Sequence, residues 1–177
     1  MYRAAGIVLG NFLKERYTET DVTVLLPPEG RIHAVDTAVL QTLREHAPKS
    51  FGFQMIHLPE RQDDATAPFY IPVQKTFDEI LRKIAPDRPV VSLVGLPEEV
   101  EDMTFWKRSP KADLILINTS ALRLKRLIQR GDITALLVRR PEIVGLDLPP
   151  DNLENWLLIT PESLQSVTAS YPGLFAP

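Results

Sequence analysis

Residues 112–138 read ADLILINTSALRLKRLIQRGDITALLV, and this stretch decides the architecture. It opens on the apolar run Ala112 to Ile117 and closes on a second, Ile133 to Val138. Between them Ser120 to Arg130 carries helical spacing and stops at Gly131, a residue that tolerates the left-handed backbone of a helix end. A strand with one wet face alternates polar and apolar residues. An unbroken apolar run marks a strand covered on both faces, as in a parallel sheet sandwiched between helices. The stretch is therefore read as strand, helix, parallel strand, joined by a right-handed crossover.

The same rhythm extends in both directions. Upstream, Pro89 to Leu96 (PVVSLVGL) is a third apolar strand, followed by a short helix over Glu98 to Lys107. Before it, Phe77, Ile80, Leu81 and Ile84 fall at i, i+3, i+4, i+7 and predict a helix. Asp21 to Leu26 and Phe51 to Leu58 read as the first two strands, separated by a helix near Val35 to Ala47. Ala5, Val8, Leu9, Phe12 and Leu13 line one face of an N-terminal helix over residues 4–17. Downstream, Trp156 to Ile159 is a short sixth strand, Pro161 to Ser170 a last helix, and 171–177 an irregular tail loose or draped on the surface.

These elements predict one α/β domain over residues 1–177. Its architecture is three-layer and doubly wound around a mainly parallel sheet of five to six strands, flavodoxin-like or like a single periplasmic-binding-protein lobe. The expected strand order is 2-1-3-4-5 with the sixth at an edge. The rhythm across most of the chain resembles one lobe of a type I periplasmic binding protein. In that family two such lobes close over a sugar or an amino acid, and 177 residues supply one lobe. No diagnostic motif carries the resemblance, so it assigns no residue.

A chain of this length can remove about 70% of its unfolded surface from water and needs no staples. The absence of cysteine removes disulfides, thiolate metal sites and cysteine nucleophiles. A net charge of −3 lacks the basic surplus that counterion release from phosphates requires, so no nucleic-acid partner is expected. Arg123, Lys125, Arg126 and Arg130 make one helix basic, but without interleaved aromatics they read as a solvated face. No segment approaches the roughly 20 apolar residues of a membrane span. Met1 to Leu9 is too short an apolar run for a signal sequence. A cytoplasmic and an extracytoplasmic location, the latter after removal of a signal or anchor, are both compatible with this sequence.

Five strands end in the same dipeptide: Pro28-Glu29, Pro59-Glu60, Pro97-Glu98, Pro141-Glu142 and Pro161-Glu162. Proline suits the first helical position and glutamate the first turn, so the pairs read as helix starts. They also fall at the carboxyl ends of the strands, where open parallel sheets bind ligands. Glutamates there disfavour phosphates. No Gly-rich phosphate loop and no nucleophile elbow is present, so no cofactor is expected.

The candidate site residues cluster at those ends. Glu29, Arg31 and His33 follow the first strand, and His57 and Glu60 end the second. With Asp63 and Asp64 nearby, the two histidines could serve a metal or acid–base site, but without H-x-x-x-H spacing no metal is expected. Asn118-Thr119-Ser120 ends the fourth strand, where it caps a helix or meets a ligand. Arg139 and Arg140 end the fifth and could grip a carboxylate. His46 is explained by a helix C-terminus.

The reading favoured is a non-catalytic binding or interaction module for a small neutral ligand or a protein partner. One alternative is an enzyme using scattered residues such as His33, His57, Glu60 and Ser120. The other is a structural subunit of an assembly or oligomer, with Ile143, Val144, Leu146 and Leu148 as its interface.

Overall fold

Six strands build one sheet: β1 (Asp21–Leu26), β2 (Gly52–His57), β3 (Val90–Ser92), β4 (Leu114–Ile117), β5 (Ala135–Arg139) and β6 (Trp156–Ile159). The computed structural model describes residues 2–60, 70–117, 121, 123–141 and 152–175. The strand order is β2-β1-β3-β4-β5-β6, as the sequence predicts. β1 to β5 are mutually parallel, with Thr23 opposite Gln54 of β2 and Val90 of β3. β6 runs antiparallel to β5, with Leu137 opposite Leu158.

The unbroken apolar runs are explained by two cores. Successive side chains along a strand point to opposite faces. Leu114, Leu116, Leu136 and Val138 enter the core beneath α3 (Gln74–Lys83), α4 (Lys125–Gln129) and α5 (Leu164–Ser170). Ile115, Ile117, Ala135 and Leu137 enter the other, beneath α1 (Arg3–Arg16) and α2 (Ala34–His46). Each of these residues of β4 and β5 is therefore buried whichever way it points, and the two runs show no polar alternation. The helix α2 joins β1 to β2 in one layer. From β2 onward the chain moves back across the sheet with α3 and α4 in the other layer, which is the doubly wound pattern. Among the described residues no helix is long and apolar enough to cross a membrane.

α1 closes the α2 layer. Its C-terminal end is fixed by Tyr17, whose hydroxyl donates to Asp113 Oδ2 at 2.5 Å, while Thr134 donates to the other carboxylate oxygen at 2.9 Å. At its start Tyr2 meets Trp156 of β6 edge-on, with ring centroids 5.6 Å apart.

Several elements differ from the sequence expectation, each for a local reason. Glu98 to Lys107 is not an α-helix but two 3-10 turns, Val100–Asp102 and Thr104–Lys107. Asp78 of α3 takes the Phe105 N–H at 2.7 Å and the Thr104 hydroxyl at 2.5 Å. An α-helix would need that same N–H for the carbonyl four residues back. The helix expected over Ser120 to Arg130 is reduced to α4, because Arg123 has φ 68° and no right-handed helix continues through it. β3 stops at Ser92, whose hydroxyl donates to the carbonyl of Gly95 at 3.0 Å, with Gly95 at φ 70°. The last helix starts at Leu164 rather than Pro161, after Ser163 Oγ has accepted the Thr160 N–H at 2.9 Å.

The three Pro-Glu pairs whose following residues are described do not themselves open α-helices. Pro28-Glu29 starts a three-residue 3-10 turn (Glu29–Arg31), Pro97-Glu98 precedes another, and Pro161-Glu162 forms a turn before α5. Pro59-Glu60 leads into undescribed residues, and Glu142 lies outside the described residues together with Ile143, Val144, Leu146 and Leu148. The tail is draped rather than loose as far as Phe175: a 3-10 turn, Pro172–Phe175, lays Leu174 and Phe175 on the α5-side core.

Candidate functional site at the carboxyl edge

β1 and β2 end together, with Leu26 opposite His57. The ladder continues one step further through the Leu58 N–H, which donates to the Leu26 carbonyl at 2.9 Å. Proline follows in both strands, at Pro27-Pro28 and at Pro59, and the missing N–H ends the pairing there. His57 turns its ring back over this end, with Nδ1 3.0 Å from the Pro27 carbonyl. A carbonyl only accepts, so Nδ1 carries a proton in this bond, and in the neutral tautomer that makes it Nε2 is an acceptor.

The 3-10 turn after β1 brings Arg31 across to the end of β2. Its Nη1 lies 3.6 Å from Glu60 Oε1, and its guanidinium stands 5.7 Å from the centre of the Tyr70 ring. The Tyr70 hydroxyl donates to the Pro59 carbonyl at 2.9 Å, which ties the chain entering α3 to the end of β2. The Arg31 side chain is only 14% exposed, whereas Glu60 is half exposed. A guanidinium this well covered and stacked on an aromatic ring is held in one orientation.

The structure thus joins three of the sequence candidates, Arg31, His57 and Glu60, around the paired ends of β1 and β2. Glu29 lies beside them, exposed in the 3-10 turn. His33 is the N-cap of α2, and its backbone N–H donates to Asp36 Oδ2 at 2.9 Å. Burial pushes the Asp36 carboxyl above its usual range, and the His33 N–H opposes that shift. Arg139 is apart, opposite Trp156 on the far side of the sheet. Three strand spacings separate β5 from β1, or ~14 Å. Arg140 is drawn to Tyr171, donating to its hydroxyl at 2.7 Å, so the two arginines do not grip one carboxylate together. Asn118, Thr119 and Ser120 lie outside the described residues, as do Asp63 and Asp64.

Tyr70 is the member that sequence reasoning missed. Its signal was an aromatic residue closing a polar loop just before the helical spacing of 77–84. Among the described residues no group of three or more His, Asp or Glu side chains is placed to hold a metal ion. What the arrangement offers is a set of hydrogen-bond donors on Arg31, acceptors on Glu60 and His57 Nε2, and an aromatic face.

No family model matches the chain, and no curated protein matches it in sequence. Its fold is that of solved solute-binding proteins. The arabinose-binding protein AraP from Geobacillus stearothermophilus is 15% identical, with a TM-score of 0.55 over 93% of this chain and 62% of that one. The glucose-galactose-binding protein GanP from the same organism is 16% identical, with a TM-score of 0.61 over 92% of this chain and 61% of that one. An ABC transporter solute-binding protein from Bradyrhizobium sp. BTAi1 is 15% identical, with a TM-score of 0.62 over 94% and 53%. The chain therefore spans less than two thirds of the length of each. The likeness is one of fold: a mainly parallel, helix-flanked sheet of the kind that forms a periplasmic-binding-protein lobe.

Proposed function

We propose that this chain is a non-catalytic binding lobe that receives a small, neutral, hydroxyl-rich ligand at the carboxyl edge of its sheet. The observation that carries this reading is the Arg31–Glu60 pair, with Arg31 over the Tyr70 ring and His57 at the end of the same strand pair. Each sugar-like hydroxyl both donates and accepts, and the pair supplies both roles while adding no net charge. A neutral ligand leaves the ion pair intact, whereas a phosphate would compete with Glu60 for Arg31. The position agrees with the rule that open parallel sheets bind beyond their carboxyl ends. The printed names of two similar structures, an arabinose-binding and a glucose-galactose-binding protein, support the same ligand class. Since this chain spans about six tenths of their length, a second lobe or partner chain would cover the other side of the ligand.

Thermal shift against a panel of neutral monosaccharides, sugar phosphates and amino acids tests the reading. A ligand at 100 times its Kd should raise Tm by roughly 5–10 °C for a domain of this size. Neutral sugars are expected to shift the wild type, and the shift should vanish in Arg31→Ala and Tyr70→Ala. A shift by sugar phosphates alone, or one that survives both substitutions, would overturn it.

A further inference from the structure

A cavity of about 360 Å³ lies away from the carboxyl edge, toward the amino ends of β1 and β2 and beneath the last turn of α3. It exists because α3 does not reach fully over the edge strand: no residue of β2 is completely buried. Thr23 of β1 and Gln54 of β2 are register neighbours that line the site, Thr23 buried beneath it and Gln54 exposed at its rim. Ile56, two residues along β2, Ile80 of α3 and Ile84 just after it form an apolar wall, while Lys83 and Arg88 stand at the rim.

The polar groups of this cavity are incompletely used. Thr23 is 1% exposed, yet its hydroxyl finds no hydrogen-bond partner among the described residues. Buried hydroxyls are nearly always bonded to protein, water or ligand. Arg88 is committed, 3.1 Å from Asp21 and donating to Gln54 Oε1 at 3.3 Å. That bond takes the acceptor end of the Gln54 amide and leaves its NH2 as a donor. Lys83 makes no ion pair among the described residues, so its ammonium adds a positive charge at the same end.

We propose that this cavity is a second binding site, for a small alkyl carboxylate. The carboxylate bonds the Lys83 ammonium and the Gln54 amide NH2 at the rim, above the buried Thr23. The alkyl chain lies along the strand direction against Ile56 and Ile80. The volume falls at the lower end of the range of small-molecule pockets, which suits a short chain. The site shares no residue with the Arg31 group and stands or falls independently of it.

Titration of the full chain with hexanoate, followed by amide NMR shifts, tests the assignment, with hexanamide as the neutral isostere. Saturable shifts centred on Thr23, Gln54, Ile56 and the 80–88 segment are expected at low-millimolar hexanoate. A charge-assisted bond adds about tenfold in affinity, so hexanamide should bind that much more weakly. Lys83→Gln should weaken hexanoate by the same factor and leave hexanamide unchanged. Ile80→Trp, or Ile56→Phe if the first does not fold, should fill the cavity and abolish both. Equal binding of the two compounds, shifts centred elsewhere, persistence in the filled variant, or no saturable shift would each overturn the proposal.

Discussion

Gly6 of α1 lies so close to Thr42 of α2 that a Cβ at position 6 would fall 2.0 Å from the threonine Oγ1 and 2.5 Å from the Val39 carbonyl oxygen. One turn further on, a Cβ at Gly10 would stand 2.7 Å from the Cβ of His46 and 3.0 Å from its carbonyl carbon. The two glycines form a smooth stripe against which α2 rests backbone to backbone. Thr42 fits there by returning its hydroxyl to its own helix, donating to the Ala38 carbonyl at 2.8 Å. Gly6→Ala must push the helices apart, because the obstacle includes main chain rather than only a movable side chain. Overpacking of this kind should cost about 3 kcal/mol, more than the ~1 kcal/mol that alanine gains in helix propensity. Urea unfolding should show a lower midpoint with an unchanged slope. A variant as stable as wild type would refute the close approach.

Asp78 should prove a keystone of the 98–107 segment. Asp78→Ala strands the buried Phe105 N–H and releases the Thr104 hydroxyl, for a loss of about 2–3 kcal/mol. Asp78→Asn keeps one acceptor and should fall between the alanine variant and wild type. Guanidinium unfolding of the three proteins checks the ranking.

Tyr17 links stability to alkaline pH. Burial first, and then the bond and charge of Asp113, raise its phenol far above the ordinary value near 10. The folded state keeps the proton that the unfolded state loses, so the stabilisation is complete below about pH 10 and falls as pH rises beyond it. Tyr17→Phe should lower stability at neutral pH and flatten its decline between pH 10 and 12. Unfolding midpoints measured across that range decide it, and an equally steep decline in the variant would count against the linkage.

Thr23→Val should behave in the opposite sense to most core substitutions. It removes a buried hydroxyl without a partner among the described residues and keeps the shape of the side chain. Stability in the absence of ligand should stay level or rise by up to ~1 kcal/mol. A loss larger than that, seen in thermal or urea unfolding, would show that the hydroxyl is satisfied.

How far the sequence reveals this protein depends on whether the deciding interaction is local. Leu114 to Ile117 and Ile133 to Val138 are legible as parallel strands because burial on both faces removes polar alternation from the sequence itself. The 98–107 segment misleads because the acceptor for the Phe105 N–H is Asp78, which no local window contains. Arg123 misleads similarly: nothing in its neighbours announces a left-handed backbone. At the carboxyl edge, the sequence places Arg31, His57 and Glu60 at strand ends, and the structure shows them there. Their grouping was not legible, because Arg31 meets Glu60 across 29 residues and Tyr70 arrives ten residues after Glu60.

The edge contact between Tyr2 and Trp156 sets an order of events for the chain as it is made. The first helix finishes its layer against the last strand, so its outer surface stays uncovered until about residue 156 has left the ribosome. The stripe against α2 can form early, but the layer cannot close. During most of synthesis the nascent chain therefore shows an unsealed apolar flank, a surface that favours prompt completion or shielding by a chaperone.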